Sequence, residues 1–307
     1  MSKVIVGLGE ILWDMLPSGK ALGGAPANFA YHASRLGEEG WAVSAVGDDS
    51  LGREILALMG VKKLHHIITV TAKPTGTVEV TLDGNGIPTY DIKEDVAWDN
   101  IPFTPDMEEL AKRADAVCFG SLVQRMASRE SVLRFLRAMR PDALKVFDIN
   151  LRQHYYNAEV LEESLRLADI LKINDEELRI VADLLSLQGD DTSACRTLIS
   201  RYGLKLVILT KGPEGSEVIT ADEVIPQAAG EAKVVDTVGA GDSFTAAFVV
   251  ARNSGFFALF ILYQRSFQTH RGGNAIRVRM PRDKKIFVKS VRRLLYKFCH
   301  DPTPSVF

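Results

Sequence analysis

The chain has 307 residues, 46% hydrophobic and 25% charged, a composition that excludes a disordered, collagen-like or disulfide-stapled protein. Three scattered cysteines, Cys118, Cys195 and Cys299, form no C-x-x-C pair, so reduced thiols and a cytoplasmic setting are expected rather than a disulfide framework or a structural zinc site. The net charge of −2 is a cancellation: residues 252–307 carry 12 Lys and Arg against Asp283 and Asp301, a net of +10, which leaves −12 for residues 1–251. In chain order, residues 3–8 predict a buried strand, 25–36 a helix and 41–46 the next strand. The helix expected after Leu51 is cut short by Met59-Gly60-Val61-Lys62-Lys63-Leu64-His65-His66. Residues 75–82 and 87–92 are two strand-like runs joined by Asp83-Gly84-Asn85-Gly86, a hairpin signature. Strands follow at 116–119, 144–148, 170–173 and 204–209, with helices at 128–139, 175–185 and 192–202. This alternation predicts an α/β fold, a mostly parallel sheet covered by helices on both faces. The N-terminus has neither the basic start nor the cleavage site of a signal peptide. The longest uncharged apolar run, near residues 255–263, is too short to span a bilayer.

Chemistry concentrates where strands end. Residues 234–250 read as strand, glycine turn and helix start, with Asp236-Thr237-Val238-Gly239-Ala240-Gly241-Asp242 at the turn. Successive N–H groups at a helix N-terminus attract anions. Asp242 in that first turn is either a helix cap or a carboxylate placed to accept a proton. No Walker or dinucleotide glycine motif occurs in the chain. In Gly23-Gly24-Ala25-Pro26-Ala27-Asn28 the glycines permit close backbone approach, and Asn28 offers donors and acceptors to a polyhydroxylated ligand. Asp14, after the first strand, is a loop solvator or an acceptor for hydroxyls. Asp148-Ile149-Asn150-Leu151-Arg152 places an Arg where it can clamp an anion. Asn174 and Glu177 fit either a capping box or a hydrated Mg²⁺. The turn Thr210-Lys211-Gly212-Pro213-Glu214-Gly215 fits a nucleotide border or a plain hairpin turn.

In this order, these segments resemble the ribokinase-like sugar kinases of the phosphofructokinase-B family from Val4 to about Ala251. Gly9-Glu10-Ile11-Leu12-Trp13-Asp14 and Phe147-Asp148-Ile149-Asn150-Leu151-Arg152 look most like its bacterial fructokinase branch. The resemblance implies a doubly wound α/β domain with a small β lid built from the hairpin. It implies phosphoryl transfer from ATP to a sugar hydroxyl, fructose to fructose 6-phosphate first among the candidates, with ribose and 2-keto-3-deoxygluconate as alternatives. By resemblance, Asp242 is the base, and the backbone of Gly239, Ala240 and Gly241 stabilises the transferring phosphoryl charge. Asp14, Gly24, Asn28 and Arg152 hold the sugar, and Asn174 and Glu177 organise Mg²⁺ through water. Thr210, Gly212 and Gly215 border the nucleotide, Asp236 and Thr237 lie beside it, and K⁺ is implied near Asp236. Family members commonly dimerise through the lid.

After about Ala251 the resemblance stops, and the +10 charge lies in the part that departs. This divides the chain into residues 1–251, the kinase domain, and 252–307, an atypical basic segment. Three readings stand for that segment: a frameshifted or chimeric C-terminus, a basic tail for nucleic acid or anionic surfaces, and divergence with a rebuilt pocket. It contains no recognisable nucleic-acid module. A sugar-binding homologue impaired in catalysis is the alternative to an active kinase.

Overall fold

The structure is a computed structural model that describes residues 2–82, 88–227 and 239–253. The chain opens with β1 (Val4–Leu8), β2 (Leu12–Leu16), β3 (Gly19–Gly23) and α1 (Ala25–Arg35). There follow β4 (Glu39–Gly47), α2 (Ser50–Lys62), β5 (His65–Thr71), β6 (Gly76–Leu82) and β7 (Pro88–Ile92). The middle holds α3 (Pro105–Arg113), β8 (Ala116–Phe119), α4 (Ser128–Ala138), β9 (Leu144–Asp148), α5 (Ala158–Leu167) and β10 (Ile170–Asn174). Last come α6 (Asp175–Leu185), α7 (Asp191–Tyr202), β11 (Leu206–Thr210), β12 (Ser216–Ile219), β13 (Val224–Gln227) and α8 (Ala240–Asn253).

The main sheet runs β13-β12-β11-β10-β9-β8-β1-β4-β5. From β11 to β5 every pairing is parallel, and β12 and β13 continue antiparallel at one edge. Side chains alternate across each strand, so β1 serves two cores. Val4, Val6 and Leu8 pack with Met107, Phe135, Leu161, Val181 and Leu198 of α3 to α7. Ile5 packs on the other face with Phe29 of α1 and Ala246, Val249 and Val250 of α8. Gly7 lets α1 lie directly on β1: a Cβ there would fall 1.8 Å from the Pro26 carbonyl oxygen. Buried aliphatic side chains at roughly 1.5–3 kcal/mol each hold these layers.

A second sheet, β3-β2-β6-β7, forms the small β layer expected from the hairpin. It has four strands rather than two. β2 pairs parallel with β6, a contact across some sixty residues that no local turn signals. Asp14 therefore lies in β2 and not in a loop after the first strand. The hairpin pairs Leu82 with Pro88, and its turn at 83–86 is outside the described residues. The predicted interruption of the helix after Leu51 is corrected as well. α2 runs to Lys62, and Lys63 ends it in the left-handed conformation (φ 53°). The Lys63 and Leu64 N–H groups close onto the Gly60 and Met59 carbonyls, an ordinary helix stop, and β5 begins at His65 beside Trp41 of β4. The strand predicted at 204–209 is observed as Leu206–Thr210. The readings made for residues 254–307 lie outside the described residues.

Candidate active site

β1 sends the chain to β4 on one side while β8 pairs on its other side. In a doubly wound sheet such a switch opens a crevice at the carboxyl ends of the strands. Glu10 follows β1 there, Gly120 follows β8, and Asp148 ends β9. These three line a cavity with Pro26 and Phe29 of α1, Cys118, Asn150 and Asp242. Its free space is about 10 Å³, the least that admits one water molecule.

The base of the site is a network of buried charge. Lys172 on β10 binds Asp148 (Nζ to Oδ1, 3.0 Å), with side-chain exposures of 11% and 8%. The Thr245 hydroxyl donates to the other Asp148 oxygen at 3.1 Å. Burial works against the Lys172 ammonium, but the Asp148 and Glu177 carboxylates carry its pKa up to about 12. Asp242 stands in the first turn of α8 and accepts a hydrogen bond from Asn28 Nδ2 at 2.9 Å. Burial, and next the negative Asp148, raise its pKa to about 6, against the opposing pull of Asn28, Lys172 and Arg152. At neutral pH Asp242 is therefore mostly a carboxylate that can still take up a proton.

Gly239 precedes α8 with φ 73°, and its carbonyl accepts the Ser243 N–H at 3.0 Å. The first N–H groups of α8, at Ala240 and Gly241 and beside Asp242, have no partner within a helix. Lys172 Nζ comes within 3.2 Å of where a Gly241 Cβ would be, which brings a cation to the same turn. Gly24 is required on two counts: its φ is 121°, and a Cβ would fall 2.3 Å from the Glu10 carbonyl oxygen. Asp14 faces Gly23 across β2 and β3, where a Cβ would be 2.5 Å from its Oδ2. Burial raises the Asp14 pKa and the charge of Arg152 opposes it. Arg152 acts in the same way on Glu10 and Asp242, so the structure brings Asp14, Gly24, Asn28, Arg152 and Asp242 around one crevice.

Asn174 and Glu177 form the capping box of α6. Asn174 Oδ1 accepts the Glu177 N–H at 2.7 Å, and Glu177 Oε2 accepts the Asn174 N–H at 2.9 Å. Glu177 Oε1 accepts the Leu151 N–H, which ties α6 to the loop that carries Arg152. Thr210 stands opposite Asn174 in the register of β10 and β11. Gly212 and Gly215 lie in the turn from β11 to β12, a hairpin turn as one reading allowed, closed by the Lys211 N–H on the Gly215 carbonyl at 2.8 Å. Asp236 and Thr237 lie outside the described residues. Among the described residues no three acids, His or Cys group as a direct metal site. No described helix is long and apolar enough to cross a membrane.

Two site members carry no role in the sequence reading. Lys172 is a charge in the otherwise apolar run Ile170-Leu171-Lys172-Ile173, and a lysine in a doubly covered strand needs a partner. Glu10 stands one residue past the turn glycine at the end of β1, but nothing local shows that it is buried.

The pfkB family carbohydrate kinase pattern matches residues 18–255. An uncharacterized sugar kinase from Pyrococcus horikoshii is 31% identical over 267 residues, 80% of this chain and 82% of its own. The chain belongs to the pfkB family of carbohydrate kinases. A fructokinase of Escherichia coli is 29% identical over 271 residues, 83% of this chain and 86% of the relative. A crystal structure of the Pyrococcus kinase in complex with ATP superposes with a TM-score of 0.65 at 29% identity, covering 81% of this chain and 83% of that one. The described part of this kinase thus has the ribokinase-like fold that the ordered motifs implied.

Proposed function

We propose that the chain transfers the γ-phosphoryl group of ATP to a hydroxyl of a free sugar, with fructose as acceptor and fructose 6-phosphate as product. The observation that carries this reading is the Asn28–Asp242 hydrogen bond at the glycine turn of α8. It sets a carboxylate of raised pKa beside the first N–H groups of a helix, within the reach of the Arg152 charge that also acts on Asp14. Asp242 takes the proton of the sugar hydroxyl, the hydroxyl oxygen bonds to the γ-phosphorus, and the bond to the leaving ADP breaks. The N–H groups at Gly239, Ala240 and Gly241 and the Lys172 ammonium stabilise the charge on the transferring group. Asp14, Gly24 and Asn28 hold the sugar hydroxyls, and Arg152 neutralises the carboxylates around them. The β sheet of β2, β3, β6 and β7 excludes water, the competing acceptor. Fructose as the acceptor rests on the fructokinase relatives.

Thr210, Gly212 and Gly215 border the nucleotide in this reading. Each Glu177 oxygen already accepts one backbone N–H, a donor set that fits Mg²⁺ held through water with Asn174 rather than bound directly. When present, Mg²⁺ would neutralise phosphate charge. K⁺ beside Asp236 and a homodimer through the lid are carried by the family resemblance alone. A coupled ADP-release assay over fructose, ribose and 2-keto-3-deoxygluconate tests the proposal. Fructose is expected to give the highest kcat/KM. Calorimetric sugar binding with no turnover on any of the three would overturn it.

A further inference from the structure

Glu10 is 3% exposed, and its Oε2 is buried with no hydrogen-bond partner among the described residues. The cap of α1 is Gly24, which has no side chain to satisfy the helix N–H groups, and the first turn of α1 holds no acid. The Glu10 carboxyl lies near this end of α1, where its own N–H and that of Ala25 pull its pKa down against the effect of burial. Three residues further along α1, Asn28 donates to Asp242. Glu10 and Asp242 also line the one-water cavity. A carboxylate buried without a cation and sharing a cavity with a second carboxylate is costly to keep charged, whereas a carboxylic acid is neutral and presents an O–H donor to that space.

We propose that Glu10 is a positioning residue of the kinase that works as a neutral carboxylic acid, its Oε2 hydroxyl donating into the small cavity shared with Asp242 beside the start of α1. The proposal rests on Asp242 as the base. Charge supports it. Burial first, and then the Asp242 carboxylate, push the Glu10 pKa up to about 7, while nearby N–H groups and Arg152 act in the opposite direction. The groups facing it are Asp242 on α8, Arg152 after β9, Asp148 on β9 with its partner Lys172 on β10, and the Cys118 thiol on β8, which burial and the same carboxylates hold protonated. The two carboxyls titrate as a pair: Asp242 ionises first, and Glu10 follows only against that charge. Activity then needs Asp242 ionised and Glu10 protonated, which gives kcat/KM an alkaline limb as well as an acid one.

The test is Glu10→Gln, which keeps the shape and replaces the O–H donor by a permanent N–H donor. In the wild type, kcat/KM for the best sugar is expected to fall above pH 7, approaching tenfold per unit. In E10Q that fall is expected to vanish while the acid limb stays. A role confined to folding would shift melting temperature and leave both limbs in place, so an unchanged alkaline limb in a folded E10Q overturns the proposal. If no sugar is turned over, or E10Q does not fold, carboxyl ¹³C NMR titration of the full chain decides. Glu10 titrating near 7 in the wild type and lower in Asp242→Asn supports the pair. Glu10 titrating in the ordinary carboxylate range overturns it. Loss of the wild-type activity thus removes the assigned reaction, and the titration judges Glu10 independently of it.

Discussion

At the foot of the lid, Arg125 and Asp99 are 3% and 0% exposed and meet through two hydrogen bonds of 2.7 Å. Asp99 also accepts the Val96 N–H, and Arg125 donates to the Lys93 carbonyl. The guanidinium lies between the rings of Trp98 and Tyr155, 4.3 and 4.4 Å from their centroids. Beneath the lid, at the carboxyl ends of β1 and β9, Glu10, Asp148 and Asp242 share one pocket, and among the described residues Asp148 is the one of these with a cation bound to it. Both regions bury charge, with opposite results. A carboxylate paired with a guanidinium fixes the lid strands to the loop of Arg125. A carboxylate short of partners gains affinity for a proton, and that is the property a base needs.

The largest way to break this contrast is Asp242→Ala. Turnover is expected to fall by a factor on the order of 10² to 10⁴ in the ADP-release assay, with no loss of melting temperature, because a half-buried carboxylate of raised pKa is removed. Asp99→Ala should do the reverse. It leaves the Arg125 charge buried and unpaired, so urea unfolding should show a loss of about 3–5 kcal/mol, while the acid limb of kcat/KM stays near the Asp242 pKa of about 6.

Stability against pH separates the regions next. The folded Glu10 titrates at about 7 against an ordinary 4.5, so between those values the folded state binds more protons than the unfolded one. Stability therefore falls as pH rises from about 4.5 to 7, by about 3 kcal/mol from this group. Asp242 adds in the same direction from 3.8 to about 6. Chemical denaturation at pH 5 and 8 checks this, and Glu10→Gln should shrink the difference. Gly24→Ala is expected to lose roughly 1–3 kcal/mol and to raise KM for the sugar, since the new Cβ meets the Glu10 carbonyl. The smallest effect belongs to the exposed pair Arg166–Glu162 on α5. Arg166→Ala should leave melting temperature and activity within error.

The parallel sheet was legible because its strands are buried on both faces and read as apolar runs such as Val4-Ile5-Val6 and Leu206-Val207-Ile208. The glycine turn before Asp242 and the paired Gly23-Gly24 were legible because backbone approach needs glycine whatever surrounds it. The lid was half legible: the hairpin announces itself through its turn residues, whereas the pairing of β2 with β6 has no local signal. The end of α2 misled for a related reason. The run Met59-Gly60-Val61-Lys62-Lys63-Leu64-His65-His66 reads as cutting the helix short, yet Gly60 has open space around it and the helix continues to Lys62.

By itself the sequence determined the α/β order, the places where glycine must stand, the family, and the candidate base, since each rests on residue type and spacing along the chain. It also showed that the net charge of −2 joins an acidic kinase body to a basic segment after Ala251. The tertiary structure decided which carboxylates go without a cation. Asp99 is paired because the loop after β8 brings Arg125 against it, and Asp242 meets Asn28, 214 residues away in the chain, because α1 and α8 cover the same face of the sheet. Glu10 stands among carboxylates because β1 lies at the switch point of the strand order. A carboxyl's pKa is set by burial and by neighbouring charge, and both come from contacts made across the fold.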